Sequence, residues 1–244
     1  MTFDKRGGKD VKHLAAQEAM RLIERHCRFP SCTRELPHLE EVDVPGATGC
    51  TFVALKNDPL GEINPAGVAR KLMHDLLTDL QAGEDAWDEA HHVQRVLPAE
   101  TTCPEGDLLD VGMGQVREIL ARHFPASELA GQKPFNPFFY VAFEEHSPGV
   151  HLHHDEVVNR LGEMVPLGYI VSMEDPRART LLCVVAGSNA LLSVVEEWTE
   201  LAHYSISLAA KRAAGIRAAQ FEQVDKKRAR GGEDERAVPA EREA

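Results

Sequence analysis

The chain has 244 residues, of which 43% are hydrophobic and 27% charged, and its formal net charge at pH 7 is −12. These values are ordinary for a globular protein, and the length suits one large domain or two small ones. The acidic balance weighs against nucleic-acid binding, because affinity for phosphate comes mainly from Lys and Arg. Residues 99–205 are the most acidic segment, with 6 Lys and Arg against 16 Asp and Glu.

The cysteines and the apolar runs indicate the cellular compartment in which the protein is expected. Five cysteines stand at irregular spacing, and no secretory apolar segment follows Met1. This pattern predicts reduced thiols. No apolar run approaches the roughly 18–20 residues of a membrane span. The sequence therefore predicts a soluble protein of the nucleus, the cytoplasm or both, without a membrane partner.

The first part of the chain predicts an α+β unit. Apolar residues at helical spacing predict a helix over 11–27, and a β-type run predicts a strand over 49–55. Asn64-Pro65 is typical of a helix start, with an N-cap residue followed by proline at the first helical position. A second β-type run covers 92–97. This order suits a degenerate ferredoxin-like domain over residues 1–98.

Residues 99–205 predict a second α+β unit. The expected elements are helices over 108–124, 154–165 and 189–198 and strands over 138–143, 169–173 and 180–185. In each unit one sheet is expected to carry helices on one face. Residues 206–244 predict a charged, largely disordered tail with a basic patch at 226–230, in which residues 216–244 are helical at first and then disordered.

The motifs around the second unit are specific enough to indicate a family. Arg95-Val96-Leu97-Pro98 is followed at fixed spacing by Thr102-Cys103, then by a helix and the aromatic strand over 138–143. Ser193-Val194-Val195 begins ninety residues after Cys103. This set, in this order, resembles the eukaryotic THUMP-domain adaptor proteins that serve the RNA cytidine acetyltransferase on tRNA. The resemblance covers roughly residues 12–205.

The resemblance implies a protein that is not an enzyme and uses no cofactor. It implies a THUMP domain over 99–205 that, with the preceding ferredoxin-like domain, binds the acceptor stem and CCA end of tRNA. The implied partner is a separate RNA cytidine acetyltransferase. The implied product is 4-acetylcytidine in the D-arm of tRNAs for serine and leucine.

The candidate RNA-binding residues combine basic side chains with two hydrogen-bonding or stacking partners. They are Arg95, Lys133, Asn136, Tyr140, His154, Arg160, Arg177 and Arg179. A scattered solubilising surface is an equally good interpretation of the same cations.

The chain departs from the family pattern after the aromatic strand. Glu144-Glu145 stand where the family has Lys and Arg, and His154 takes the position of a basic residue at the next helix start. Carboxylates in place of cations weaken phosphate contact. The alternative hypothesis is therefore a protein-interaction module that kept the fold, lost RNA binding and uses its acidic face on a basic partner.

Other chemistry is less well supported. His151-x-His153-His154-Asp155 offers ligands that zinc accepts, and a metal-dependent hydrolase remains a third hypothesis. Because these residues are nearly contiguous at a helix start, a solvated cap is the favoured interpretation. Cys27 and Cys32 match no common zinc motif, and Gly112-x-Gly114 lacks the third glycine of a dinucleotide-binding loop. The sequence predicts no metal site.

Overall fold

The chain is α+β in the part described by the structure, a computed structural model. The described ranges are 9–26, 38–56, 64–82, 91–110, 114–126, 136–146 and 152–216. The helices in these ranges are α1 (Lys9–His26), α2 (Pro65–Ala82), α3 (Gly114–His123), α4 (His154–Met164) and α5 (206–216). The strands are β1 (His38–Val42), β2 (Phe52–Lys56), β3 (Thr101–Pro104), β4 (Phe138–Glu145), β5 (Ile170–Val171), β6 (Arg179–Ala186) and β7 (Asn189–Val195). None of the described helices combines the length and the apolar character needed to cross a membrane.

Five strands form the central sheet, in the order β3-β7-β6-β4-β5. β7 is antiparallel to both β3 and β6, whereas β4 runs parallel to β6 and β5. A parallel pair requires a crossover connection, and the chain between β4 and β6 contains α4. β1 and β2 pair antiparallel in a separate two-stranded sheet.

The central sheet is buried on both faces. Leu182 and Val184 of β6 belong to a first apolar cluster with α1, α2 and α5. Leu181 and Cys183 belong to a second cluster with α3 and α4. Successive strand residues point to opposite faces, so neighbours in β6 enter different clusters. The helices within residues 99–205, α3 and α4, share one face of the sheet as predicted, and α1, α2 and α5, from outside that range, cover the other face.

The predicted boundary at residue 98 runs through the first cluster, which contains α1 and α2 together with Leu182, Tyr204 and Ile206. The two-domain division stays a prediction. Residues 206–216, which the sequence places in the tail, form α5, and its Ala209 and Ala213 are fully buried. The basic patch at 226–230 lies outside the described residues.

The start of α2 confirms the sequence signal at Asn64-Pro65. The Asn64 side-chain Oδ1 accepts a hydrogen bond from the Ala66 amide at 2.8 Å, and the Asn64 carbonyl accepts one from the Val68 amide at 3.1 Å. Pro65 is the first helical residue and needs no acceptor for an amide hydrogen. The helix predicted over 11–27 is also present, as α1.

The helix predicted from Asn189 is wrong, because these residues form β7. β7 pairs with β6 across the two-residue turn Gly187-Ser188. Like β6, it is buried on both faces, so its apolar run lacks the alternation that marks a half-buried strand. Gly187 has a φ of +66°, and a Cβ there would lie 2.2 Å from the Pro45 carbonyl oxygen. The turn therefore requires glycine.

The second β-type run of the first unit does not form a regular strand. The Glu18 carboxylate of α1 accepts hydrogen bonds from two consecutive amides, those of His92 at 3.0 Å and Val93 at 2.7 Å. A single isolated bridge joins Arg95 to Ser205. The Glu18 carboxylate thus serves the first two amides of this run, whereas the Val96 amide donates to the Tyr204 carbonyl.

Two other predicted elements differ in extent. The helix predicted over 108–124 begins at Gly114 in the structure, after a 3₁₀ turn at Glu105–Asp107, and residues 111–113 are not among those described. The strand predicted over 169–173 is reduced to the two residues of β5, at the edge of the sheet.

Replacing Glu18 with alanine is expected to lower the free energy of unfolding by about 2–3 kcal/mol, because two buried backbone amides lose a charged acceptor. Urea denaturation measures this change. Glu24→Ala, at an exposed position of the same helix, is the matched control and should change the stability much less. Equal losses in the two variants would contradict the role assigned to Glu18.

Candidate nucleic-acid interface

The candidate RNA-binding residues fall into separate groups in the structure. Lys133 lies outside the described ranges. The other seven form three groups. Asn136, Arg177 and Arg179 lie at the starts of β4 and β6. Arg95 and Tyr140 lie beside the carboxylate of Glu144, and His154 and Arg160 lie on α4.

The first group forms a compact set, which we call the strand-start cluster: Asn136, Phe138, Arg177 and Arg179. The Asn136 side-chain amide donates to the Arg177 carbonyl at 2.5 Å, and the Arg179 guanidinium donates to the Asn136 carbonyl at 3.1 Å. The guanidinium of Arg177 lies over the Phe138 ring, 5.1 Å from its centroid. These residues meet because β4 and β6 are parallel neighbours whose first residues share one end of the sheet.

The two arginines of the strand-start cluster differ in accessibility. The Arg177 side chain is 70% exposed and forms an ion pair with Asp175, with one N–O distance of 2.9 Å. Hydrogen bonds from Arg177 hold the pKa of the Asp175 carboxyl below its usual range. Arg179 is half-buried, lies over the rings of Phe124 and Tyr169 and donates to backbone carbonyls. Arg177 therefore presents an accessible guanidinium, while Arg179 supports the cluster from inside.

Arg95 lies inside the protein. Its guanidinium binds the Glu144 carboxylate through two hydrogen bonds of 2.6 Å and donates a third to the His203 carbonyl at 2.9 Å. The Arg95 and Glu144 side chains are 22% and 17% exposed. The donors of Arg95 are thus directed at the protein, and its assignment to RNA stays a prediction.

An imidazole also shares the Glu144 carboxylate. His146 Nε2 lies 3.4 Å from Glu144 Oε2. The Cys50 side chain first, and the Glu144 carboxylate second, raise the pKa of His146 to about 9. Burial alone would raise the pKa of Glu144, but hydrogen bonds from His146 and the charge of Arg95 outweigh burial and lower it. This group is not evident from the sequence, because Cys50 and His146 are 96 residues apart and form no motif.

The remaining candidates have local partners. His154 Nδ1 lies 3.0 Å from Asp155 on α4, and Arg160 lies 3.3 Å from Glu163 one turn along the same helix. Tyr140 is half-buried, and burial, together with the charge of Glu144, raises the pKa of its hydroxyl. Neither α4 residue contacts the strand-start cluster through a bond seen among the described residues.

The histidines and cysteines considered as zinc ligands form no assembled site in the described ranges. Within those ranges, no group of three or more His, Cys, Asp or Glu is arranged to hold a metal ion. His151, Cys27 and Cys32 fall in segments outside them.

The buried carboxylate of Glu100 gives the Ser193-Val194 part of the motif set a structural role. Glu100, whose side chain is 3% exposed, accepts hydrogen bonds from the Ser193 hydroxyl and the Val194 amide, each at 3.0 Å. His123 lies 2.8 Å from the other Glu100 oxygen. Burial alone would raise the pKa of Glu100, but these bonds, that of His123 foremost, lower it. The Ser193-Val194 motif therefore joins β7 to the residue preceding β3.

Comparison with known proteins identifies no family for this chain. No family model and no curated protein matches the chain. Among solved structures, the chain is similar to PH1313 from Pyrococcus horikoshii Ot3, with 13% identity and a TM-score of 0.41 over 81% of this chain and 54% of that one. It is also similar to TrmN from Thermus thermophilus, with 21% identity and a TM-score of 0.28 over 50% of this chain and 42% of that one. The chain spans about half the length of each. Both TM-scores lie below 0.5, so neither likeness carries an argument about function.

The Arg95–Glu144 pair gives a prediction for stability. Arg95→Ala is expected to lower the free energy of unfolding by about 3 kcal/mol, because it leaves a largely buried carboxylate without its main partner. Arg177→Ala removes an exposed ion pair and should leave stability nearly unchanged. Thermal and urea unfolding of both variants measure the difference. A loss in Arg95→Ala no larger than that in Arg177→Ala would show that the buried pair does not hold the fold.

Proposed function

We propose that the chain is a tRNA-binding adaptor that presents tRNA to a separate RNA cytidine acetyltransferase for 4-acetylcytidine formation. The sequence resemblance supports the proposal through Arg95–Pro98, Thr102-Cys103 and Ser193–Val195. In this proposal residues 1–98 are a ferredoxin-like domain and residues 99–205 a THUMP domain. The chain acts in the nucleus, the cytoplasm or both, and the partner supplies the chemistry.

One observation carries the RNA-binding part of the proposal. The accessible guanidinium of Arg177 lies over the ring of Phe138, and the side-chain amide of Asn136 donates to the Arg177 backbone carbonyl. Unpaired RNA is recognised by stacking on aromatic rings and on guanidinium planes, and phosphate is bound by arginine. The CCA end of tRNA is single-stranded and offers both kinds of group. We therefore assign the strand-start cluster to the CCA end.

A salt series tests the assignment. Wild-type protein should bind tRNA in a filter assay, with affinity falling as salt rises. Arg177→Ala should weaken binding by about fivefold to tenfold and reduce the slope of log affinity against log salt by about 1. Arg21→Ala, which removes an exposed arginine from α1, is the control and should leave the slope unchanged. Equal effects of the two substitutions would remove Arg177 from the interface.

The adaptor role needs a cellular measurement. Deleting the gene in an organism that makes 4-acetylcytidine should abolish or strongly reduce this nucleoside in tRNAs for serine and leucine, as measured by mass spectrometry. Re-expression of the wild-type chain should restore it, whereas Arg177→Ala should restore less. Unchanged acetylcytidine in the deletion strain would reject the adaptor role while leaving RNA binding to be judged by the salt series.

The second candidate function is a protein-interaction module. Two observations favour it. Arg95, Arg160 and Arg177 are each paired with a carboxylate. Large apolar side chains are also exposed around the edge strand β5, with Leu167 fully exposed and Ile170, Val171 and Met173 between 53% and 68% exposed. Such a patch is typical of protein contacts. Absence of tRNA binding at low salt would favour this function over the adaptor.

A further inference from the structure

A cavity of about 330 Å³ lies between β2, α2 and the central sheet. Apolar side chains form most of its wall, for example Phe52 of β2, Val68 of α2 and Val184 of β6. Small-molecule sites begin at roughly 300 Å³ and combine an apolar lining with a few polar groups that fix the orientation of the ligand. The wall of this cavity therefore suits a hydrocarbon chain, and its polar part decides which end group that chain carries.

The polar part of the wall is the His146 imidazole. Among the described residues that line the cavity, His146 is the only histidine, and none is Asp, Glu, Lys or Arg. A ligand end group at this position therefore meets the imidazole without a competing carboxylate on the described wall.

The neighbours of His146 leave this part of the wall with a net positive charge. His146 forms an ion pair with Glu144, with 3.4 Å between Nε2 and Oε2. The same carboxylate binds the Arg95 guanidinium through two hydrogen bonds of 2.6 Å. The Cys50 side chain and then Glu144 raise the pKa of His146 to about 9, so the ring is protonated at neutral pH. One carboxylate thus faces two cations, and one positive charge among the three side chains has no counter-ion.

This positive charge lies where water screens it poorly. The side chains of His146, Glu144 and Arg95 are only 19%, 17% and 22% exposed. Attraction between opposite charges grows as water is excluded, and a charge removed from water is costly unless it is paired. An anionic group that reaches His146 from the cavity supplies the missing counter-ion.

The backbone holds the imidazole at the cavity wall. The His146 amide donates to the Val185 carbonyl of β6 at 2.8 Å. The His146 carbonyl accepts hydrogen bonds from the Thr48 amide at 3.3 Å and the Thr48 hydroxyl at 3.1 Å. The position of the ring is therefore fixed before a ligand arrives, and a substitution of the ring leaves these backbone bonds in place.

We propose that this cavity binds a small aliphatic carboxylate, with the hydrocarbon chain against the apolar wall and the carboxylate paired with the His146 imidazolium. The binding is noncovalent. It is also separate from the proposed tRNA contact, because Phe138 of the strand-start cluster begins β4 whereas His146 follows the last residue of the same strand.

Titration calorimetry of the full chain with octanoate and with 1-octanol tests both parts of the site. One octanoate should bind per chain, about tenfold more tightly than the neutral alcohol of equal chain length, because the ion pair adds to the apolar contact. Hexanoate should bind about tenfold more weakly than octanoate, since two buried methylenes are lost. Equal affinity for octanoate and octanol, or affinity independent of chain length, would overturn the proposal.

A pair of substitutions on α2 locates the hydrocarbon chain. Ala69 lines the cavity, and Ala69→Leu should weaken both ligands by about tenfold or more, because its three added carbons take the place of buried ligand methylenes. Ala82→Leu, at the exposed end of the same helix, is the matched control and should leave both affinities unchanged. Equal effects of the two substitutions would place the ligand outside this cavity.

A pair of histidine substitutions locates the carboxylate. His146→Gln should remove the preference for octanoate while octanol still binds, which also shows that the variant is folded. His74→Gln, which replaces a half-exposed imidazole paired with Glu197, is the control and should keep the preference. A His146→Gln protein that binds octanol and still prefers octanoate would overturn the proposal. If this variant does not fold, the comparison of octanoate with octanol in the wild-type chain decides.

Discussion

The part-buried Arg95–Glu144 pair is the interaction that connects three distant parts of the described sequence in this fold. It joins the segment before β3 to the end of β4, and the same guanidinium holds the His203 carbonyl. His203 lies between Ala202 and Tyr204 in a turn in which all three residues have φ between 54° and 55°. Left-handed backbone costs about 1–2 kcal/mol for each residue that is not glycine. The bond from Arg95 offsets part of this cost and keeps Tyr204 in the first apolar cluster.

The motifs that suggest the family are largely structural in this chain. Arg95 binds Glu144, and the Ser193 hydroxyl with the Val194 amide binds the buried Glu100 carboxylate. Such residues connect sheet strands that are distant in sequence, so they identify a fold more directly than they identify RNA contacts. The side chain that we propose contacts RNA, Arg177, belongs to none of these motifs, and its partner Phe138 becomes its neighbour only through the parallel pairing of β4 and β6.

Elements fixed by local interactions could be predicted from the sequence, whereas elements that depend on contacts between distant residues could not. The start of α2 was predictable because Asn64 acts on amides within four residues of itself. β7 was not, since burial on both faces removes its alternation. The run at 92–97 was assigned to a strand because no local signal shows that Glu18 supplies the acceptor for its amides. In the candidate sites, the cations could be nominated individually, but the contacts of Glu144 with Arg95 and His146 depend on the completed fold.

The strand order of the central sheet also has a consequence for synthesis on the ribosome. β3 pairs with β7, for example Cys103 with Ala190, and the first apolar cluster is completed by Ile206, Ala209 and Ala213 of α5. α1 and α2 leave the ribosome well before these residues, and at usual elongation rates the interval is on the order of ten seconds. During that time the apolar faces of both helices lack the central sheet that covers them in the folded chain. The nascent chain is therefore expected to be a client of chaperones that bind exposed apolar segments.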